Sequence, residues 1–174
     1  MGLTIREHKS SSYGPRTYTN ANDAEVTIAL AVDYTTAGER LTHKAAGEKY
    51  LKLDPISDCV QNSRKLWSRL NLLRIDHPIV NVAGNGIYTL SKHGWTQDVI
   101  NKYLILMLGL VNLHYPIARI VSGGQTGVDL AGGYAGWKLG IDTVMTLPKG
   151  FKQRHEDGVD REHTEDEIKE MVTG

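Results

Sequence analysis

The sequence predicts an α/β domain: a parallel sheet of about five strands, doubly wound, with helices on both faces. Three observations carry that prediction. Short apolar runs alternate with longer amphipathic stretches along the chain after residue 24. Glycine, proline or an Asp/Asn pair punctuates most of the junctions between them. The composition, 40% hydrophobic and 23% charged over 174 residues, is that of an ordinary globular chain long enough for one core.

Taken in order, residues 1–24 are rich in Ser, Asn, Thr and Tyr with Gly14-Pro15 in the middle, and read as a flexible N-terminal arm or a short hairpin. Residues 25–174 then form the single domain. The apolar run 25–32 suits a buried parallel strand. A helix over about 37–46 follows, capped by Thr35 or Thr36, with Glu39 in its first turn and Gly47 as its stop. Residues 49–53 alternate as a second strand. Val60, Leu66, Trp67, Leu70 and Leu73 are spaced as one face of a helix over 57–73. Residues 78–83 form a third strand, broken by Gly84-Asn85-Gly86. The helix from about Thr96 is apolar nearly all round in its second half and belongs in the middle of the fold. A fourth strand at 116–121, a small-residue helix over about 128–139, a fifth strand at 141–145 and an acidic helix near 165–172 complete the chain. Strands alternating with helices at these lengths describe a Rossmann-like arrangement.

In such sheets ligands sit beyond the carboxyl ends of the strands. The strongest candidate there is the turn Ser122-Gly123-Gly124-Gln125-Thr126-Gly127-Val128-Asp129. Glycines let backbone approach an anion closely, and the following helix offers free N–H groups and a partial positive charge. The turn lacks the Lys-Ser/Thr pair of a triphosphate loop and the glycine spacing of a dinucleotide fingerprint. A tight turn chosen only for helix–sheet packing is the alternative.

Other loops share that edge. Asp33, Thr35 and Thr36 follow the first strand and could hold a ribose diol or simply cap a helix. Gly84, Asn85, Gly86 and Tyr88 follow the third; Asn85 could read a base edge and Tyr88 could stack on one, or the segment is a plain turn. Lys149, Lys152 and Arg154 follow the fifth and could close over an anion, or stay solvated. Cys59 reads as a helix residue, and the seven histidines show no metal-ligand spacing. No cofactor and no metal are assigned.

The run Ile120-Val121-Ser122-Gly123-Gly124-Gln125-Thr126-Gly127-Val128-Asp129, with Ala131 and then Leu147-Pro148-Lys149-Gly150, resembles the SLOG superfamily, closest to its branch labelled as a molybdenum carrier. The likeness covers roughly residues 117–160. It implies that Ser122, Gly123, Gly124, Thr126 and Gly127 surround a phosphate or ribose, and that Asp129 braces the loop or touches a ribose hydroxyl. The phosphoribohydrolase branch of that superfamily carries a Pro-Gly-Gly-x-Gly-Thr-x-x-Glu signature. Here Ser122 stands in place of the Pro, and Asp129 does not match the Glu.

Three functions stand open: binding of a nucleotide-derived small molecule, such as a cyclic nucleotide or an ADP-ribose-like signal, by a sensor or a sequestering sponge; hydrolysis of an N-glycosidic or phosphate bond, with Asp33, Asp129 or Glu39 as base; or partner binding with a structural glycine turn. Twenty basic and twenty acidic residues cancel, which argues against long nucleic acid as a partner. No apolar segment suits a signal peptide or a membrane span, so a cytoplasmic location is expected. The apolar residues 103–113 and the small residues 131–136 suggest a homo-oligomer, a dimer or larger.

Overall fold

The computed structural model describes residues 2–174. Six parallel strands form one sheet: β1 (Leu3–Glu7), β2 (Val26–Leu30), β3 (Tyr50–Leu53), β4 (Ile79–Gly84), β5 (Arg119–Ser122) and β6 (Thr143–Leu147). Their order is β1-β6-β5-β4-β2-β3. The helices are α1 (Tyr13–Asn22), α2 (Ala37–Ala46), α3 (Cys59–Leu73), α4 (Ile87–Ser91), α5 (Gln97–His114), α6 (Val128–Lys138) and α7 (Glu165–Thr173). A two-residue ladder, β7 (Gln153–Arg154) with β8 (Asp160–Arg161), forms a strap between β6 and α7. The α/β fold and the doubly wound parallel sheet are those the sequence predicts.

The N-terminal arm is corrected. Residues 3–7 pair along their whole length with β6, and residues 13–22 form a helix packed on α2. Both elements hide from a hydrophobic pattern for a physical reason. β1 lies at an edge and buries only Ile5. α1 turns Arg16, Thr17, Asn20 and Ala21 inward, so its buried face is mostly polar. Ser12 at the N-cap and Pro15 in the first turn were its legible marks.

Right-handed crossovers explain which face each helix takes. The β1→β2 and β2→β3 connections run one way across the sheet and put α1 and α2 on one face. The connections out of β3, β4 and β5 run back, so α3, α5 and α6 line the other face, with α7 beside α6. The two faces differ in chemistry. Val26, Ile28, Leu30, Val80, Val82 and Ile120 meet the apolar residues of α3, α5 and α6 in the main core. Ile5, Met145 and Leu147 form a smaller core with Leu130, Ile168 and Val172. The alternate residues of β2 and β4 are Thr27, Ala29, Asn81 and Ala83, small or polar, and Asn81 donates to Thr27 Oγ1 at 3.2 Å.

α6 sits close on the sheet because a side chain at Gly132 would run into Val82 and one at Gly133 into Met145. α5 packs between α3 and α6 rather than at the centre of the fold. Its inner residues Leu104, Met107 and Leu108 are fully buried, while Leu106 and Leu113 on its crest are 60% and 77% exposed. Among the described residues no helix is long and apolar enough to cross a membrane.

Removing residues 1–24 should abolish cooperative unfolding, because it exposes the edge of β6 and uncovers the polar face of the sheet. Denaturant titration followed by circular dichroism checks this; a truncated chain that unfolds as sharply as the intact one would restore the flexible arm.

Candidate functional site

The sheet leaves a crevice where its winding reverses. β2 leads to α2 on one face, while its neighbour β4 leads towards α5 on the other. At the carboxyl ends of these strands, on the α1/α2 side, lies a cavity of about 390 Å³. Its walls come from α1 (Tyr13, Arg16, Asn20), the start of α2 (Thr36, Glu39), the end of β4 and the loop after it, the glycine turn, and Arg154 of the strap. The small side chain of Ala83 borders that space, while a side chain at Gly84 would run into Leu30 O and Val128 instead.

Of the sequence-predicted residues, ten border this cavity: Thr36, Gly84, Asn85, Gly86, Tyr88, Gly123, Gln125, Thr126, Asp129 and Arg154. Six do not: Asp33, Thr35, Ser122, Gly124, Gly127 and Lys149. Asp33 is half-buried and holds its own loop, its Oδ1 accepting from Thr35 N at 2.8 Å and Thr35 Oγ1 at 2.6 Å. Those two bonds hold its carboxyl below the usual range. Thr36 caps α2, accepting from Glu39 N at 3.2 Å. Lys149 is exposed and its backbone N–H donates to Ser10 O.

The glycine turn departs from the expected open cradle of amides. Gly127 N donates to Gln97 Oε1 at 2.7 Å, and Gln97 Nε2 returns a bond to Gly127 O at 2.9 Å. Val128 N donates to Asn85 O, and Gly124 N to Ser122 Oγ at 3.1 Å. Ser122 is fully buried, its hydroxyl donating to Asp129 O at 2.5 Å. Gly124 and Gly127 take positive φ, 70° and 95°, a region costly for other residues. These amides serve the protein's own chain, so the turn is a packed hub with a cavity beside it.

The hub also ties down the strap. Gln125 Nε2 donates to Lys152 O at 2.7 Å and its Oε1 accepts from Arg154 N at 3.1 Å. Thr126 Oγ1 donates to Arg154 O, and Gln153 Nε2 to Gly124 O at 2.6 Å. Asn85 does similar work across the crevice. Its side chain accepts from Val32 N and Asp33 N at 2.8 and 3.0 Å and donates to Asp33 O at 2.9 Å. It braces two loops rather than presenting a free amide to a base.

At the floor, Arg16 Nη1 lies 3.5 Å from Asp129 Oδ2, both side chains about nine-tenths buried. A side chain at Gly123 would collide with both groups. Burial pushes the Asp129 carboxyl up to about 6; Arg16 and the N–H groups of Gln125 and Gly84 pull it back. Burial likewise lowers the Arg16 guanidinium. Glu39 is buried and raised for the same reason, although Tyr50 OH donates to its Oε2 at 2.5 Å. Arg16 Nε, Asn20 Oδ1 and Glu39 Oε1 have no hydrogen-bond partner. Tyr13, Arg16 and Asn20 were not anticipated in the sequence, since they lie on the segment read as an arm.

The mouth is cationic and aromatic. Tyr13 OH donates to Asp160 Oδ1 at 3.0 Å, and Arg154 Nε meets the same oxygen at 2.9 Å. Lys152 Nζ lies 4.6 Å from the centre of the Tyr13 ring. Among the described residues no three His, Cys, Asp or Glu side chains converge as a metal requires.

Arg16→Met should cost about 3–5 kcal/mol, because it strands a buried carboxylate, and should move the Asp129 carboxyl above about 6. The folded state keeps the Asp129 proton up to about pH 6 whereas the unfolded chain releases it near 3.8, so this group favours folding below that window and the benefit is lost as pH rises through it. Asp129→Asn should therefore flatten the stability–pH profile between about pH 4 and 6. Urea titrations of the variants across that range check both outcomes; an unchanged profile would mean that Asp129 is not perturbed. No family model, curated protein or solved structure matches the chain.

Proposed function

We propose that this protein binds a phosphorylated, nucleotide-derived small molecule in the cavity beneath α1 and α2, as a sensor or a sequestering sponge. The observation that carries the reading is a polar-floored cavity at the crevice where the sheet's winding reverses. Three residues on its wall, Arg16, Asn20 and Glu39, hold buried polar atoms that the protein itself does not satisfy. Buried groups of that kind are answered by water or a ligand.

The engagement of the Gly124, Gly127 and Val128 amides by the protein's own chain changes where an anion would sit. The cations nearest the mouth are Arg154, which also pairs with Asp160, and Lys152 just before the strap, both beside the Tyr13 ring. A phosphate end therefore belongs at the mouth, and the ribose and base belong inside. There Glu39 supplies an acceptor for hydroxyls, and Tyr13 and Tyr88 border the cavity as apolar walls. A second copy docking on the crest of α5 belongs to the same reading, supported by exposed Leu106 and Leu113.

A second reading, hydrolysis of an N-glycosidic bond, is favoured by one fact: two carboxyls with raised proton affinity, Asp129 and Glu39, border the same cavity. Binding and turnover separate in one experiment. Titration calorimetry with adenosine, AMP, ADP-ribose and a cyclic dinucleotide should show phosphorylated ligands binding at least about tenfold tighter than adenosine, a difference of ~1.4 kcal/mol. Arg154→Ala should remove that preference, and Lys149→Ala should leave it. Recovery of intact ligand after denaturation supports storage; release of free base supports hydrolysis. Failure of every ligand to bind ends the proposal.

A further inference from the structure

The strap that reaches the cavity through Arg154 carries a pair of imidazoles facing each other. We propose that His155 and His163 form a proton-operated latch: double protonation opens the strap and releases the ligand as pH falls. This inference rests on the ligand-binding reading above.

His155 directly follows β7, in the turn of the strap, and His163 lies between β8 and α7, so the pair ties that turn to the segment leading into α7. Their Nε2 atoms are 2.8 Å apart and the rings are 5.0 Å apart between centres. At that separation one Nε2 carries the proton and the other accepts it. The first additional proton is tolerated, because it goes to an outer Nδ1 and leaves the bond in place. A second puts N–H against N–H between two like charges. The tie then becomes a repulsion.

The surroundings oppose that second proton. Burial is the largest cause that lowers His155, followed by His163 and Arg161, with Asp157 acting against them. Asp157 is already paired with Arg161 at 2.5 Å. Glu167 of α7 is the carboxylate on the His163 side, but its side chain accepts from Thr164 N at 2.8 Å to cap the helix. Glu7 of β1 accepts from Gly150 N, next to the bond from His163 N to Gly150 O. Tyr88 of α4 packs against Gly158 at the strap's tip. Asp157, Glu167 and Glu7 are thus already engaged, while Glu156 and Glu162, the chain neighbours of the two histidines, are exposed to solvent, where screening weakens their pull on an imidazolium.

Opening the strap reaches the cavity because Arg154 is both a strand residue of the strap and a wall residue of the mouth. Its backbone is held by Gln125 and Thr126, and its guanidinium by Asp160. A group whose folded-state proton affinity is lowered, as at His155, stabilises the closed form above the ordinary histidine range and ceases to do so as pH falls below it.

The test uses ADP-ribose, whose pyrophosphate keeps its charge between pH 7.5 and 5.5. Calorimetry should show affinity of the unaltered protein falling about tenfold over that interval, the scale of one linked proton. His163→Gln, which stays neutral and can still bond His155, should change less than about twofold by the same linkage. Asp129 titrates in this window in both proteins, so any contribution it makes is read directly from the residual change in His163→Gln. An equal loss in His163→Gln assigns the effect to Asp129 and overturns the latch. Amide NMR of residues 153–161 reads the strap without ligand. Shifts and broadening at pH 5.5 in the unaltered protein, absent in His163→Gln, support the latch even if ADP-ribose binds at neither pH, which would instead defeat the binding reading. Unchanged strap signals in both proteins overturn the latch.

Discussion

The buried contact between Arg16 and Asp129 is the constraint on which the rest of the site depends. It joins the first helix of the chain to the first turn of α6, across 113 residues of sequence. Its geometry forbids any side chain at Gly123 and aims the amides of Gln125 and Gly84 at one carboxylate. Such a pair contributes little net stability, since desolvation consumes most of the Coulomb attraction. It ties α1 to the start of α6, and both elements border the cavity.

The cavity itself is a consequence of unequal sheet faces. The face carrying Val80 and Val82 is packed by three helices in succession, and Gly132 and Gly133 let α6 sit directly on Val82 and Met145. The opposite face carries Thr27, Ala29, Asn81 and Ala83 beneath only α1 and α2. Small and polar residues cannot fill the volume between a sheet and two helices, and a dry void there would leave polar groups unmet. A crevice lined by Asn81, Glu39 and Arg16 is the outcome.

Rigidity and mobility are divided between the hub and the strap. The glycine turn is held through Gln97, Ser122, Asn85 and Asp129, all within the protein. The strap has a two-residue ladder and is secured mainly by side chains of that hub and by the histidine tie. Few apolar contacts hold it, so it is the part of the mouth suited to move.

The sequence by itself determined the architecture. Short, largely apolar runs such as 26–30 and 79–84, bounded by turn residues, have the length and composition of strands covered on both faces, and Thr36, Thr96 and Gly47 mark helix ends through local chemistry. It also marked ten residues that border the cavity, because loops at strand carboxyl ends share an edge in any doubly wound sheet. Only the tertiary structure decided what those residues do. Hydrogen-bond partners at the hub are distant in sequence, as Gln97 is from Gly127, so periodicity carries no trace of them. The same holds for α1, whose inward face is polar because its partner is a carboxylate more than a hundred residues away.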